Sequence, residues 1–259
     1  MKRKTKKKFN IIKKKHAVVA GVVVSFLAFS GVALVAKPPA FLCVQEVIVP
    51  KPLKHLKELD VVKLSGVKKG QSLLTLSLET VRENILRYPW VKEVTLSKRI
   101  PGRLSIEVEE QTPVALLEMS SEKTQESGLY LINAEGKVFK KLESGDSKDL
   151  PLITGLTKEE IRDHLNHYVR VLSWFQGEEF DVSELNWRDG DLTLFTQDPC
   201  IQISFGKDTT EDLNVWLSRK ARLLEAWPTI KTATKTPRAI DLTLERRIIV
   251  KQKILAGNN

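Results

Sequence analysis

Residues 77–110 read SLETVRENILRYPWVKEVTLSKRIPGRLSIEVEE, and the way this stretch divides decides the fold. Ser77 is a capping residue, and Thr80 with Glu83 has the spacing of a capping box. The segment from Ser77 to Tyr88 is therefore expected to be helical, and Pro89 stops it. From Val91 to Lys98 the period changes from helical to twofold. After the Pro101-Gly102 turn, Leu104, Ile106 and Val108 alternate with Ser105, Glu107 and Glu109, which predicts a hairpin with one apolar face.

Upstream, Cys43-Val44-Gln45-Glu46-Val47-Ile48-Val49 is a β-branched run ended by Pro50 and Pro52, and reads as a strand. Leu53, Leu56, Leu59 and Val62 recur at helical spacing, with Gly66 and Gly70 as breakers. Residues 43–110 thus read as strand, helix, helix, strand, strand.

Downstream the pattern is richer in strands. Val114–Leu117, Leu129–Ile132 and Val138-Phe139 are strand-like, with 120–127 a polar loop and Asn133–Gly136 a turn. Thr157 caps a helix with Glu160 in capping-box position, and Ile161, Leu165, Tyr168, Leu172 and Phe175 share one face. Leu192–Phe195 and Ile201–Phe205 alternate. A further helix carries Leu213, Trp216, Leu217, Leu223 and Leu224, and Ile240–Leu242 and Ile248–Val250 read as closing strands.

Toward the N-terminus, residues 17–36 read AVVAGVVVSFLAFSGVALVA without a charge. As a helix rising about 1.5 Å per residue, this run spans roughly 30 Å, the thickness of a bilayer's hydrocarbon core. It exceeds the apolar core of a cleavable signal, so one retained transmembrane helix is expected. Nine lysines and arginines precede Ala17 without an acidic residue, out of a net charge of +10, so the rest of the chain is nearly neutral. That asymmetry puts residues 1–16 in the cytoplasm and the bulk outside it. The tail has one aromatic, Phe9, and no stacking platform, so anionic lipid rather than specific nucleic acid is its expected neighbour.

No motif in the chain calls for catalysis, a cofactor or a metal. His164 and His167 are three apart, but no Cys or third His lies nearby in sequence to complete a metal site. Phe205-Gly206-Lys207-Asp208-Thr209 lacks the upstream glycine and the Lys-Ser/Thr pair of a phosphate loop, and reads as a strand end and helix cap. The five tryptophans are expected in the core, and Cys43 and Cys200 as unpaired apolar side chains.

Several strings, in order, resemble the FtsQ/DivIB family of bacterial cell-division proteins. They are Val47-Ile48-Val49, Gly70-Gln71-Ser72-Leu73-Leu74, Tyr88-Pro89-Trp90-Val91, Arg99–Val108 and Thr112-Pro113-Val114-Ala115. Leu131–Phe139, Leu150–Gly155, Ile203–Gly206 and Ala239–Leu242 continue the series. The resemblance implies an α+β protein: tail 1–16, transmembrane helix 17–36, a POTRA domain over 37–110, and over 111–259 a β domain with helices on an extended antiparallel sheet. It also implies a non-enzymatic scaffold of the divisome at the inner membrane and septum, with FtsB and FtsL-like coiled-coil proteins as partners. In the family the closing strand receives FtsB by edge pairing, which assigns partner contact here to Arg246, Arg247, Ile248, Ile249, Val250 and Lys251. Thr243-Leu244 stand where the family often has an Arg and an aromatic, and Asn133 where Asp is usual. A membrane-anchored periplasmic hydrolase and a POTRA-containing outer-membrane assembly factor are the competing functions; the second would need a long β-barrel.

Overall fold

The computed structural model describes residues 38–120, 127–175, 177, 180–207, 213–234 and 237–252. The expected tail and the apolar run 17–36 lie outside these residues. Among the described residues no helix is long and apolar enough to cross a membrane. The chain forms two compact units, one ending at Glu110 and the other starting at Gln111.

In the first unit a 3-10 turn, Ala40–Leu42, leads to β1 (Glu46–Ile48), α1 (Glu58–Ser65), α2 (Leu78–Leu86), β2 (Val91–Arg99) and β3 (Arg103–Glu110). This is the expected order. The sheet order is β1-β3-β2, with β1 parallel to β3 and β2 antiparallel to it. Both helices send apolar residues, among them Val61, Val81 and Ile85, into a core shared with Val94, Leu104 and Ile106.

Three local expectations are corrected. The strand expected over 43–49 is only Glu46–Ile48, because Cys43 instead bridges to Ser72. The first helix begins at Glu58 rather than near Leu53, since the backbone N–H groups of Lys54, His55 and Leu56 donate to the Glu110 carboxylate at 2.6, 2.8 and 3.1 Å. Those donors hold the segment in a loop. The second helix is capped by Ser77, whose Oγ accepts from the Thr80 N–H at 3.3 Å, so Thr80 is inside the first turn rather than the head of a box with Glu83.

The hairpin bears out its twofold pattern, with one irregularity that matters for the core. Val91 and Val94 are both buried although they are an odd number of residues apart. A bulge between Val91 and Glu93 inserts a residue and returns both side chains to the same face. At the turn, Gly102 has φ +63°, and a Cβ there would lie 2.7 Å from the Gln45 side chain and 3.0 Å from the Cys43 carbonyl oxygen. Only glycine suits both the backbone angle and the contact.

The second unit contains β4 (Pro113–Ser120), β5 (Ser127–Asn133), β6 (Val138–Lys141), β7 (Leu152–Thr154), α3 (Lys158–Ser173), β8 (Val182–Arg188), β9 (Asp191–Thr196), β10 (Gln202–Lys207), α4 (Leu213–Ala233), β11 (Pro237–Asp241) and β12 (Ile249–Gln252). All strands join one sheet in the order β12-β11-β10-β9-β8-β7-β4-β5-β6. The polar loop expected over 120–127 is shorter, because Ser120 and Ser127 pair across β4 and β5; residues 121–126 are outside the described set.

The sheet is mixed, not antiparallel as expected. β4–β7, β7–β8 and β10–β11 are parallel pairs. In two of them a helix, α3 or α4, lies between the partners in sequence. A helical crossover returns the chain to the same end of the sheet and so requires parallel pairing.

The helices and sheet share an aromatic core. Trp187 on β8 lies 5.6 Å from Tyr168 of α3 and 6.5 Å from Trp216 of α4, centroid to centroid. One side chain touching both helices puts both on the same face of β8. Phe180 meets Trp227 at 4.5 Å, and Phe175 meets Phe205 edge-on at 5.9 Å. Four tryptophans are buried as expected, and Trp174 packs half-buried against this core.

The expected capping box of α3 is present in full. Thr157 Oγ1 accepts from the Glu160 N–H at 3.3 Å, and Glu160 Oε2 accepts from the Thr157 N–H at 2.7 Å. Glu160 Oε1 also accepts from the indole N–H of Trp187 at 2.5 Å, which ties the helix start to the sheet. Burial alone would raise the Glu160 pKa. The hydrogen bonds from the Thr157 N–H and hydroxyl and from Trp187, with the nearby His164, outweigh it and hold the carboxyl below 4.5. Asn133 is buried; its Oδ1 accepts from the Lys137 N–H at 2.8 Å and its Nδ2 donates to Gln111 Oε1 at 3.0 Å.

Candidate partner-binding edge

The six residues assigned to partner contact do not lie on one strand. Arg246 is in a turn, Arg247 and Ile248 precede the strand, and Ile249, Val250 and Lys251 belong to β12. Asp241, Ile240 and Ala239 of β11 pair with Ile249, Val250 and Lys251 in turn. β12 stands at the end of the strand order, so among the described residues its far side has no neighbouring strand.

An antiparallel strand uses half of its backbone N–H and C=O groups on one neighbour and presents the other half at its opposite side. That leaves β12 able to receive one more strand, with side chains deciding which. Ile248 and Val250 are half-buried and pack against the core. Ile249 is 42% exposed, and Lys251, Arg246 and Arg247 are exposed around it. The edge therefore offers one apolar side chain among three cations.

The turn leading into β12 is held by α4. The Arg222 guanidinium donates to the carbonyl oxygens of Leu242 at 2.9 Å and Leu244 at 2.8 Å, and also to that of Glu245. Within the turn, the N–H and hydroxyl of Thr243 donate to Asp241 Oδ1 at 2.9 and 2.6 Å. Gly206, at φ +77°, lies under Thr243, and a Cβ there would come within 2.9 Å of the threonine methyl. Arg219, one turn before Arg222, donates to the Phe205 carbonyl oxygen beside it.

Sequence reasoning missed these braces. Arg219 and Arg222 look like solvated helix residues, because their partners are backbone carbonyls far along the chain that no periodicity reports. Gly206 is where the phosphate-loop likeness was noted; its backbone angle and contact with Thr243 account for the glycine, and the helix cap expected after it lies outside the described residues. Leu244 is 46% exposed and Thr243 is exposed, so both are accessible next to the edge.

Other candidate chemistry does not assemble. His164 and His167 have ring centroids 5.6 Å apart, and no group of three or more His, Cys, Asp or Glu side chains comes together among the described residues. Cys43 and Cys200 are free thiols, but Cys200 is exposed rather than packed as an apolar side chain.

Two family models match the chain: the FtsQ-type POTRA domain over residues 42–111, and the C-terminal domain of cell division protein FtsQ/DivIB over residues 123–243. The second match ends before β12. The chain is 30% identical over 257 residues to the cell division protein FtsQ of Geotalea daltonii, covering 93% of this chain and 88% of the relative. It is 29% identical to that of a Geobacter species, covering 80% and 75%. Against that of Bordetella pertussis identity is 24%, over 86% and 82%.

Proposed function

Because the chain belongs to the FtsQ/DivIB family of cell-division proteins, we propose that it is a bitopic scaffold of the divisome that works by binding rather than catalysis. Residues 17–36 anchor it in the inner membrane, with residues 1–16 in the cytoplasm and both folded units outside at the septum. The first unit is the POTRA domain and serves recruitment. The second receives a small coiled-coil membrane protein of the FtsB type, together with FtsL, by addition of a strand to β12. Assembly and control of septal wall synthesis follow from holding these proteins together.

The position of β12 at the sheet edge, with Ile249 exposed on it, is the observation that carries the partner reading. Strand addition supplies affinity through backbone hydrogen bonds, and an exposed apolar side chain flanked by cations selects a partner strand with an apolar position among acidic ones. Ile249→Glu leaves the core intact and puts a carboxylate where the partner's apolar side chain would pack. Co-purification of the FtsB-type partner with the full chain is expected to fall at least tenfold, about 1.4 kcal/mol or more, while thermal unfolding stays unchanged. Deletion of residues 246–259 is expected to abolish it, and undiminished co-purification in either case refutes the closing-strand assignment. Uniform membrane fluorescence of a fusion in dividing cells would count against the septal role.

A further inference from the structure

The first unit has an apolar, cationic end that the partner reading leaves unused. Three segments are brought together there by backbone hydrogen bonds. The Gly102 N–H in the β2–β3 turn donates to the Phe41 carbonyl oxygen at 2.9 Å. The Leu73 N–H donates to the Leu42 carbonyl oxygen at 2.8 Å, and the Val44 N–H to that of Gln71 at 2.8 Å. The Ala40–Leu42 turn thus sits between the tip of the hairpin and the segment 68–74.

Each segment carries an exposed apolar side chain: Phe41 at 51%, Leu74 at 52% and Ile100 at 69%. The other exposed large apolar residues of this unit among those described, Leu59 and Leu86, belong to α1 and α2 instead. Lys68, Lys69 and Arg99 are exposed on the same segments. Glu46, whose N–H donates to the Gly102 carbonyl oxygen, is paired with Arg103 at 3.2 Å. The end is therefore apolar at its projecting side chains and positive around them.

Its distance from the membrane is bounded by covalent geometry. From Ala36, the last residue of the apolar run, to Phe41 there are five Cα–Cα steps, at most about 18 Å when fully extended. The 3-10 turn, closed by the Leu42 N–H donating to the Pro39 carbonyl oxygen at 2.9 Å, shortens that reach. Exposed apolar side chains on segments that also carry exposed lysine and arginine, at this distance, match the polarity gradient of a lipid head-group layer.

We propose that this end of the first unit rests on the outer face of the membrane, with Phe41, Leu74 and Ile100 entering the head-group region and Lys68, Lys69 and Arg99 facing anionic lipid. The proposal depends on the reading of residues 17–36 as the anchor. It gives the first unit a fixed side toward the bilayer, so that its remaining surfaces face the partners.

Site-directed spin labelling of the full chain in nanodiscs tests this. On a Cys43→Ser, Cys200→Ser background, single labels would be placed through Leu74→Cys, Ile100→Cys, Glu93→Cys and Val24→Cys. Glu93 is the control in water, about 20 Å along β2 from Arg99 at roughly 3.3 Å per residue. In phosphatidylglycerol nanodiscs, oxygen is expected to relax the labels at 24, 74 and 100 more than a water-soluble nickel chelate does, with the reverse at 93. In phosphatidylcholine the effect at 74 and 100 is expected to weaken severalfold. A water-exposed label at 24 overturns the anchoring reading itself. Lipid at 24 with water at both 74 and 100 overturns the interfacial proposal alone, and equal immersion in the two lipids overturns its anionic component.

Discussion

The nine-stranded sheet ends in two short strands, β6 and β12, each four residues long and each, among the described residues, without a strand on its outer side, yet their side chains treat that position oppositely. On β6, Lys140 is 12% exposed at its side chain and reaches Asp146 at 2.5 Å and Glu143 at 3.0 Å in the loop that follows. Burial would lower the pKa of Lys140, but these two carboxylates outweigh it and hold the pKa above 10.5. Asp146 also accepts from the Glu143 N–H at 2.9 Å, so loop and strand are tied. On β12, Lys251 and the preceding arginines stand in solvent beside an exposed isoleucine, and the tie comes from behind, through Arg222 of α4. A sheet can thus keep one edge folded on itself and the other presented outward, using the same residue types.

The largest expected effects test whether the two ends differ in function while resembling each other in support. Ile240 and Ile132 are fully buried on the strands next to β12 and β6, opposite Val250 and Val138. Ile240→Ala and Ile132→Ala should each cost about 2–5 kcal/mol in denaturant unfolding. Only Ile240→Ala should also weaken partner co-purification beyond what its loss of stability explains; equal losses in both variants would erase the distinction between the edges. Arg222→Ala removes the brace behind β12 and takes a charged donor away from the carbonyl oxygens of Leu242, Leu244 and Glu245. A loss of about 1–3 kcal/mol is expected, with hydrogen exchange rising in residues 249–252 before the rest of the sheet. Lys140→Ala takes the cation from the largely buried Asp146 and is expected to cost a similar amount, with partner capture unchanged.

The smallest effect is one of pH. Glu160 is held below its ordinary pKa of 4.5 in the folded chain. Its stabilisation is therefore fully present above that value and is lost as pH falls through the lower, folded value. Glu160→Gln should destabilise the second unit at neutral pH, and the gap from the parent chain should narrow in acid. A gap that stays constant from neutral pH down to about pH 3 would show that the charge of Glu160 is not what joins α3 to Trp187.

Legibility followed the range of the interactions. Ser77 and Thr157 are readable as caps because a cap is made with a residue three positions on, although at α2 the box spacing of Thr80 and Glu83 lies inside the helix and caps nothing. The β2–β3 hairpin was readable from its alternation and its Pro-Gly turn, whereas the bulge that buries both Val91 and Val94 was not, since it depends on what β3 sets opposite them. The start of α1 at Glu58 depends on the same kind of distant contact. Glu110, more than fifty residues away, holds the N–H groups that would have begun the helix earlier. Of the six residues assigned to the partner, three are on the edge strand, and the arginines that position it were invisible as such.

From its sequence alone this chain determined the order of its elements, the capped helices, the hairpin and the membership of its family, because periodicity, caps and turn residues act within a few positions. Only the tertiary structure decided that the second sheet is mixed, that β6 and β12 close its two ends, and that Arg222 holds the turn before β12. Those outcomes rest on pairings between residues far apart in the chain, where the hydrogen-bonding groups of the backbone are the same at every position and the sequence therefore carries no local mark of which strand will meet which.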